Sequence, residues 1–237
     1  MCSSDLAAAE AARADGLSRL AAMAAHEIRN RLGVIRGTID LMRERSASAL
    51  GERDRAALAD IVAEVERLRQ LTQDLLDLSS DRPLLLATTN VSAVIDEAAR
   101  AVEASFPAIR VRRAGADLPP IEADAARLRQ VFANLLVNAA QAQRAGEIEV
   151  RARATAADVR VVVADEGPGL PEGAERRLFD LHFTTKSDGT GLGLAIARRI
   201  VDRHGGFLEY RRNQPRGALF ELGLPRVQPR TVDREGE

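Results

Sequence analysis

His26, Glu27 and Asn30 fall close together in a stretch rich in Ala, Arg and Glu that reads as helix. A neutral imidazole is a competent nitrogen nucleophile near neutral pH. The carboxylate beside it can orient the ring or take its proton as phosphorus is attacked, and an amide one helical turn on can position a water. The trio therefore suits formation of a phosphoramidate and its hydrolysis. Taken alone it also fits a solvated histidine on an exposed helix face. His182 and His204 have no ligand-like spacing to His26, and Cys2 is the only cysteine, so a metal centre is not indicated there.

Three further groups have types and spacing suited to a nucleotide. Asn134 and Asn138 are one turn apart on a predicted helix whose other face is apolar, so both amides project from one side and can hold a hydrated Mg²⁺ with its phosphates. Asp165-Glu-Gly-Pro-Gly169 follows a β-rich run. A carboxylate at a strand end can accept a hydrogen bond from an exocyclic amine such as that of adenine, and Gly167 and Gly169 let the backbone approach a flat ring. Gly189-Thr190-Gly191-Leu192-Gly193 runs into a helix, where free amides and the helix dipole favour phosphate. No Lys-Ser/Thr pair follows, which excludes a P-loop, and the spacing of a dinucleotide fingerprint is absent. In isolation the paired amides also read as caps, and the first glycine group as a turn.

Between the two glycine groups lies Phe179 to Lys186, which includes Thr185. The chain has 34 Lys+Arg, and Lys186 is its only lysine. The Arg excess reads as genomic base composition. The position of Lys186, three residues before Gly189, would let a compact ammonium reach terminal phosphates.

Elements must position these groups. From Ala7 to Leu78 the chain lacks Pro and breaks only at Ser46 to Gly51, which predicts two long helices in an antiparallel hairpin. Ala21, Ala25, Ile28, Leu32, Ile35, Ile39 and Met42 follow the alternating 4, 3 spacing of a bundle seam, as do Leu58, Ile61, Val65, Leu68, Leu71, Leu75 and Leu78. Two helices cannot bury such stripes, so a homodimeric four-helix bundle is expected. After Pro83 the pattern changes. Leu84 to Thr89 reads as strand, Ser92 to Ala104 and Asp124 to Gln143 as helices, Glu147 to Ala154 and Val159 to Ala164 as a hairpin, Gly191 to His204 as helix, and Phe207 to Arg212 and Ala218 to Leu224 as strands. The expected fold is multi-domain, an all-α hairpin followed by an α+β sandwich.

Composition narrows the partners. With 34 Lys+Arg against 35 Asp+Glu, and six Phe, one Tyr and no Trp, neither a basic field nor stacking platforms for nucleic acid are present. No apolar run reaches the roughly 18 to 20 residues of a membrane span, so no membrane contact is expected from this chain itself. A cytoplasmic setting is expected for this chain.

Taken in order, these groups resemble the catalytic core of bacterial two-component sensor histidine kinases, over nearly the whole chain. His26 to Asn30 resembles the phosphoacceptor box, Asn134 to Asn138 the N box, Asp165 to Gly169 and Gly189 to Gly193 the glycine boxes, and Phe179 to Lys186 the F box. The Phe-Thr-Thr-Lys string looks most like the nitrogen-regulation branch. The resemblance implies an ATP-binding fold shared with gyrase and heat-shock-chaperone ATPases. It implies His26 as phosphoacceptor, Glu27 as proton acceptor, and Asn30 as the residue positioning water for dephosphorylation. Asn138 would be the Mg²⁺ ligand with Asn134 beside the phosphates, Asp165 the adenine contact, and Gly167, Gly169, Gly189, Gly191 and Gly193, with Thr190 and Leu192, the cradle. Phe179 to Ser187, including Thr185 and Lys186, would form a lid. ATP and Mg²⁺ are the implied cofactors, and a response-regulator receiver domain the implied partner. The family that the chain resembles also implies that it is an N-terminally shortened form of a protein anchored to the inner membrane. The implied layout is 1–80 dimerisation and histidine phosphotransfer hairpin, 81–90 linker and first strand, 91–227 ATP-binding catalytic domain, and 228–237 polar tail. Two departures stand out. Arg31 replaces the usual Pro after the box Asn, so the helix should kink less, and Leu181 and His182 replace Pro and an aromatic. The alternative they raise is a catalytically impaired dimeric scaffold or phosphatase that binds ATP and a response regulator.

Overall fold

The computed structural model describes residues 28, 30–44, 51–79, 83–115, 118–186 and 190–226. His26, Glu27, Gly189 and the polar tail lie outside them. The chain divides into two compact units, Met1–Arg82 and Pro83–Glu237.

In the first unit, α1 (residues 30–44) and α2 (Glu52–Ser79) are helical; neither contains Pro, and α2 is rich in the strong helix formers Ala, Leu, Arg and Glu. Glu52 and Asp54 lie in the first turn of α2, where carboxylates complement the helix dipole. Arg36 of α1 pairs with Glu66 of α2, which also accepts from Arg69 Nε at 2.8 Å. The hydrogen bond from Arg69, with Arg36 adding to it, holds the Glu66 carboxyl below the usual range. The predicted seam divides into two sets. Leu32, Ile39 and Val65 are buried, whereas Ile28, Ile35, Met42, Ile61 and Leu68 remain 43–51% exposed. The side chains of Leu75 and Leu78 are not among those described.

The second unit is a two-layer sandwich. Its strands are β1 (Ala87–Thr89), β2 (Ile109–Ala114), β3 (Ile121–Ala123), β4 (Gly146–Ala154), β5 (Asp158–Ala164), β6 (Phe207–Arg212) and β7 (Ala218–Pro225), and its helices α3 (Val91–Ser105), α4 (Ala125–Gln143) and α5 (Gly193–Arg203). A five-stranded sheet has the order β2-β4-β5-β7-β6, with β2 and β4 parallel and the remaining pairs antiparallel; β1 and β3 pair separately. Alternation decides the faces. Ile148, Val150, Val159, Val161, Val163, Phe220, Leu222 and Leu224 are buried, together with Leu128, Val131, Phe132, Leu135 and Leu136 of α4. The intervening strand positions carry ion pairs, such as Arg112 with Glu147 and Glu149, and Arg160 with Glu221.

Two strands, β2 and β3, were not foreseen, and β1 is shorter than the Leu84 to Thr89 expected. Its partner β3 offers only three pairs, and Leu85 N–H instead donates to Asp124 Oδ2 at 3.0 Å. Asn90 and Asp124 cap α3 and α4, accepting from Ala93 N–H and Arg127 N–H, each at 3.1 Å. The helix expected from Gly191 begins at Gly193.

Candidate functional site

The apolar side of α4 is buried in the sandwich, which leaves Asn134 and Asn138 half-buried at the edge of the core. Asn134 Nδ2 donates to the Gly193 carbonyl at 2.9 Å and so ties α4 to the start of α5. Asn138 Oδ1 accepts from Lys186 Nζ at 2.6 Å, and the same ammonium donates to Gln141 Oε1 at 2.9 Å. Burial pushes the Lys186 pKa down, and the charge of Asp165 opposes that shift. Two residues far apart in sequence, the box asparagine and the only lysine, thus meet on one turn of α4.

Asp165 follows β5 and is 2% exposed. Its Oδ1 accepts from Gly167 N–H at 2.9 Å and Ala218 N–H at 3.2 Å. Burial raises its pKa, while these two donors and the Lys186 charge oppose the rise. The backbone behind it is braced by Asn213, whose Nδ2 donates to the Asp165 carbonyl at 2.8 Å. Gly217, at φ +111, passes so close that a Cβ there would lie 1.9 Å from the Asp165 carbonyl oxygen. Asn213 and Gly217 were not foreseen as site residues, because Asn-Gln-Pro-Arg-Gly reads only as a turn. Gly169 also has a positive φ, +71.

The second glycine group contacts the F-box segment directly. At Gly191, φ +69, a Cβ would come within 2.4 Å of the His182 carbonyl carbon. His182 itself adopts φ +62. Phe179 lies under the Arg198 guanidinium, 5.4 Å from its ring centroid. Thr190 Oγ1 accepts from Leu192 N–H at 3.3 Å. The Leu192 side chain is fully buried in the core, so any part it plays at a ligand is through its backbone. Thr184 Oγ1 accepts from Lys186 N–H at 3.1 Å, which turns the segment back toward α4, and Thr185 is exposed. Asn30 is exposed on α1, in the other unit.

The donor set fits a divalent cation that arrives with phosphates. Asn138 Oδ1 is a hard neutral oxygen that already accepts from one cation, and the described residues contain no cluster of His, Cys, Asp or Glu able to hold a metal alone. Asn138 would then supply one ligand, and phosphate and water the rest.

Residues 17–83 match the His Kinase A (phospho-acceptor) domain, and residues 123–228 match the histidine kinase-, DNA gyrase B- and HSP90-like ATPase family. The chain is a member of the two-component histidine kinases. This histidine-kinase chain is 39% identical over 214 residues to the sensor histidine kinase ZraS of Escherichia coli O157:H7, covering 88% of itself and 46% of ZraS. It is 34% identical to the sensory histidine kinase/phosphatase NtrB of Azospirillum brasilense, covering 90% of itself and 56% of NtrB. It therefore spans about half the length of these curated relatives. Among solved structures, full-length ShkA in complex with AMPPNP superposes with a TM-score of 0.72 at 28% identity, covering 89% of this chain and 46% of ShkA. The histidine kinase ThkA in complex with the response regulator protein TrrA gives a TM-score of 0.63 at 30% identity, covering 90% of this chain and 63% of that one. Among the described residues no helix is long and apolar enough to cross a membrane.

Proposed function

We propose that this chain is the catalytic core of an ATP-dependent protein-histidine kinase that phosphorylates its own His26 and passes the phosphoryl group to an aspartate of a response-regulator receiver domain. The observation that carries the reading is the convergence of Asn138, Lys186 and Asp165 on one face of the sandwich, with Asn134 holding the start of α5 beside them. Asp165 Oδ2 accepts from the adenine amine, and the backbone around Gly167 and Gly169 admits the ring. The amides from Gly189 to Gly193 and the Lys186 ammonium neutralise the phosphates. Mg²⁺, bound with the nucleotide through Asn138, supplies charge neutralisation at the phosphates. His26 attacks the γ-phosphorus as its bond to the β,γ-bridging oxygen breaks. ADP leaves, and Glu27 takes the imidazole proton. Asn30 positions the water that hydrolyses the phosphorylated regulator, which makes the protein a phosphatase as well.

The exposed set Ile28, Ile35, Met42, Ile61 and Leu68 supports a homodimer through the hairpin, since seven-residue repeats of large apolar side chains are seldom left in water. The TrrA complex of ThkA supports a receiver domain as partner, and the AMPPNP complex of ShkA supports ATP. The likeness to NtrB supports the nitrogen-regulation branch. Incubation with γ-labelled ATP and Mg²⁺ should give acid-labile, base-stable protein phosphate that His26→Gln abolishes. No incorporation, or incorporation that survives the substitution, overturns the reading.

A further inference from the structure

The last turn of α4 holds more than the N-box amides. Gln143, its final residue, is half-buried and uses both ends of its amide. Its Nε2 donates to the Glu147 carbonyl at 3.0 Å, at the start of β4, and its Oε1 accepts from Glu166 N–H at 2.9 Å. The first bond fixes the amide against the sheet. The second holds the loop that follows Asp165. The neighbouring residue adds a packing contact, because Gly167 lies so close to Ala142 that a Cβ at 167 would come within 3.0 Å of the alanine methyl. Glu166 and Gly167 are thus seated together on one helical turn, and Gly167 N–H in turn holds Asp165 Oδ1.

We infer that Gln143 is a positioning residue that fixes the Asp165–Gly167 loop and, through it, the discrimination between adenine and guanine nucleotides. The inference rests on the nucleotide reading above. Adenine presents an amine donor where guanine presents a carbonyl acceptor. A carboxylate oxygen held rigidly against that edge accepts from the first and is left facing an acceptor with the second, so discrimination depends on the carboxylate having no freedom to withdraw. Asp165 is braced on one side by the Ala218 strand and on the other by the loop that Gln143 clips. Without the clip the loop keeps its packing on Ala142 but loses its hydrogen-bonded stop, and Asp165 can swing from the base edge and admit water between itself and a guanine carbonyl.

The test is equilibrium binding of ATP and of GTP, each with Mg²⁺, to the whole chain and to Gln143→Leu and Gln143→Glu, with thermal melts to establish folding. Leucine matches the reach without the hydrogen bonds; glutamate keeps an acceptor for Glu166 N–H. Gln143→Leu should weaken ATP about three- to tenfold, the range for one net hydrogen bond, and lower the ATP-to-GTP affinity ratio. Gln143→Glu, which replaces the donor to the Glu147 carbonyl by an acceptor, should also lower the ratio, and Gln143→Ala serves as the deletion if the leucine variant does not fold. A folded deletion variant with the parental ratio overturns the inference alone. Failure of the parent to bind ATP overturns the nucleotide reading and this inference with it.

Discussion

His204 has no exposed surface, and both of its ring nitrogens are engaged. Nδ1 lies 2.8 Å from the Ile200 carbonyl and so carries the proton, while Nε2 accepts from Asp124 N–H at 3.1 Å. Burial lowers its pKa; the Ile200 carbonyl and the Asp124 charge oppose that, and Arg203 adds to it. The unfolded chain therefore takes a proton below about pH 6.5 that the folded chain resists, and stability is full above that pH and declines as pH falls through and below it. Urea unfolding of the parent should show a midpoint lower at about pH 5.5 than at about pH 7.5. His204→Gln should start lower and lose much of that dependence. A His204→Gln variant with the same pH dependence as the parent would show that His204 does not titrate differently on folding. Lys186 is the second residue whose setting makes a prediction. Loss of a charge-assisted contact to phosphate should weaken ATP binding by about ten- to a hundredfold in Lys186→Ala, with the dimer intact by light scattering. Arginine should restore it poorly, since its planar fork does not fit where a compact ammonium meets Asn138 and Gln141.

At the scale of elements, α4 organises the nucleotide unit. Its first turn is capped by Asp124, whose Oδ1 accepts from Arg127 N–H and whose Oδ2 accepts from Leu85 N–H, where the chain enters the unit. Its middle carries Asn134 and Asn138, and its last turn seats the loop after Asp165. Asp124→Ala removes the cap and the anchor for Leu85 together, and should destabilise the unit by about 1–2 kcal/mol in urea unfolding. Asp124→Asn keeps an acceptor for the cap and should recover most of that loss. An alanine variant as stable as the parent would mean that water replaces both bonds. Arg31 lies in a helix that runs unbroken over residues 30–44, as expected where a residue with an amide hydrogen stands in place of proline.

For the whole molecule, the division of the hairpin stripe is the main consequence. In α1, residues seven apart share an environment: Leu32 and Ile39 are buried, whereas Ile28, Ile35 and Met42 are exposed; in α2, Ile61 and Leu68 are exposed. One set is satisfied within a single chain, and the other is the face through which the proposed homodimer would form. Ile35→Glu combined with Leu68→Glu should convert the dimer to monomer in light scattering, because each added carboxylate would be buried unpaired in the bundle. ATP affinity should persist, since the nucleotide residues belong to a separate compact unit. A double variant that remains dimeric would remove this face from the interface.

The sequence by itself determined the elements and the chemistry available to them. Seven-residue spacing predicted the hairpin, alternation predicted the β4–β5 hairpin, and the asparagine pair, Asp165 and the glycines marked a pocket, because periodicity and glycine placement are local properties of the chain. The short strands β2 and β3 are not legible in the sequence, since three to six residues flanked by turns carry little periodic signal. Only the tertiary structure decided which stripe residues are buried, that Lys186 reaches Asn138, that Asn213 and Gly217 brace Asp165, and that Gln143 clips the loop after it. Each of these depends on how near two segments distant in sequence come to one another, by hydrogen bond or by packing. That distance is set by how the helices pack on the sheet, and no local pattern encodes it.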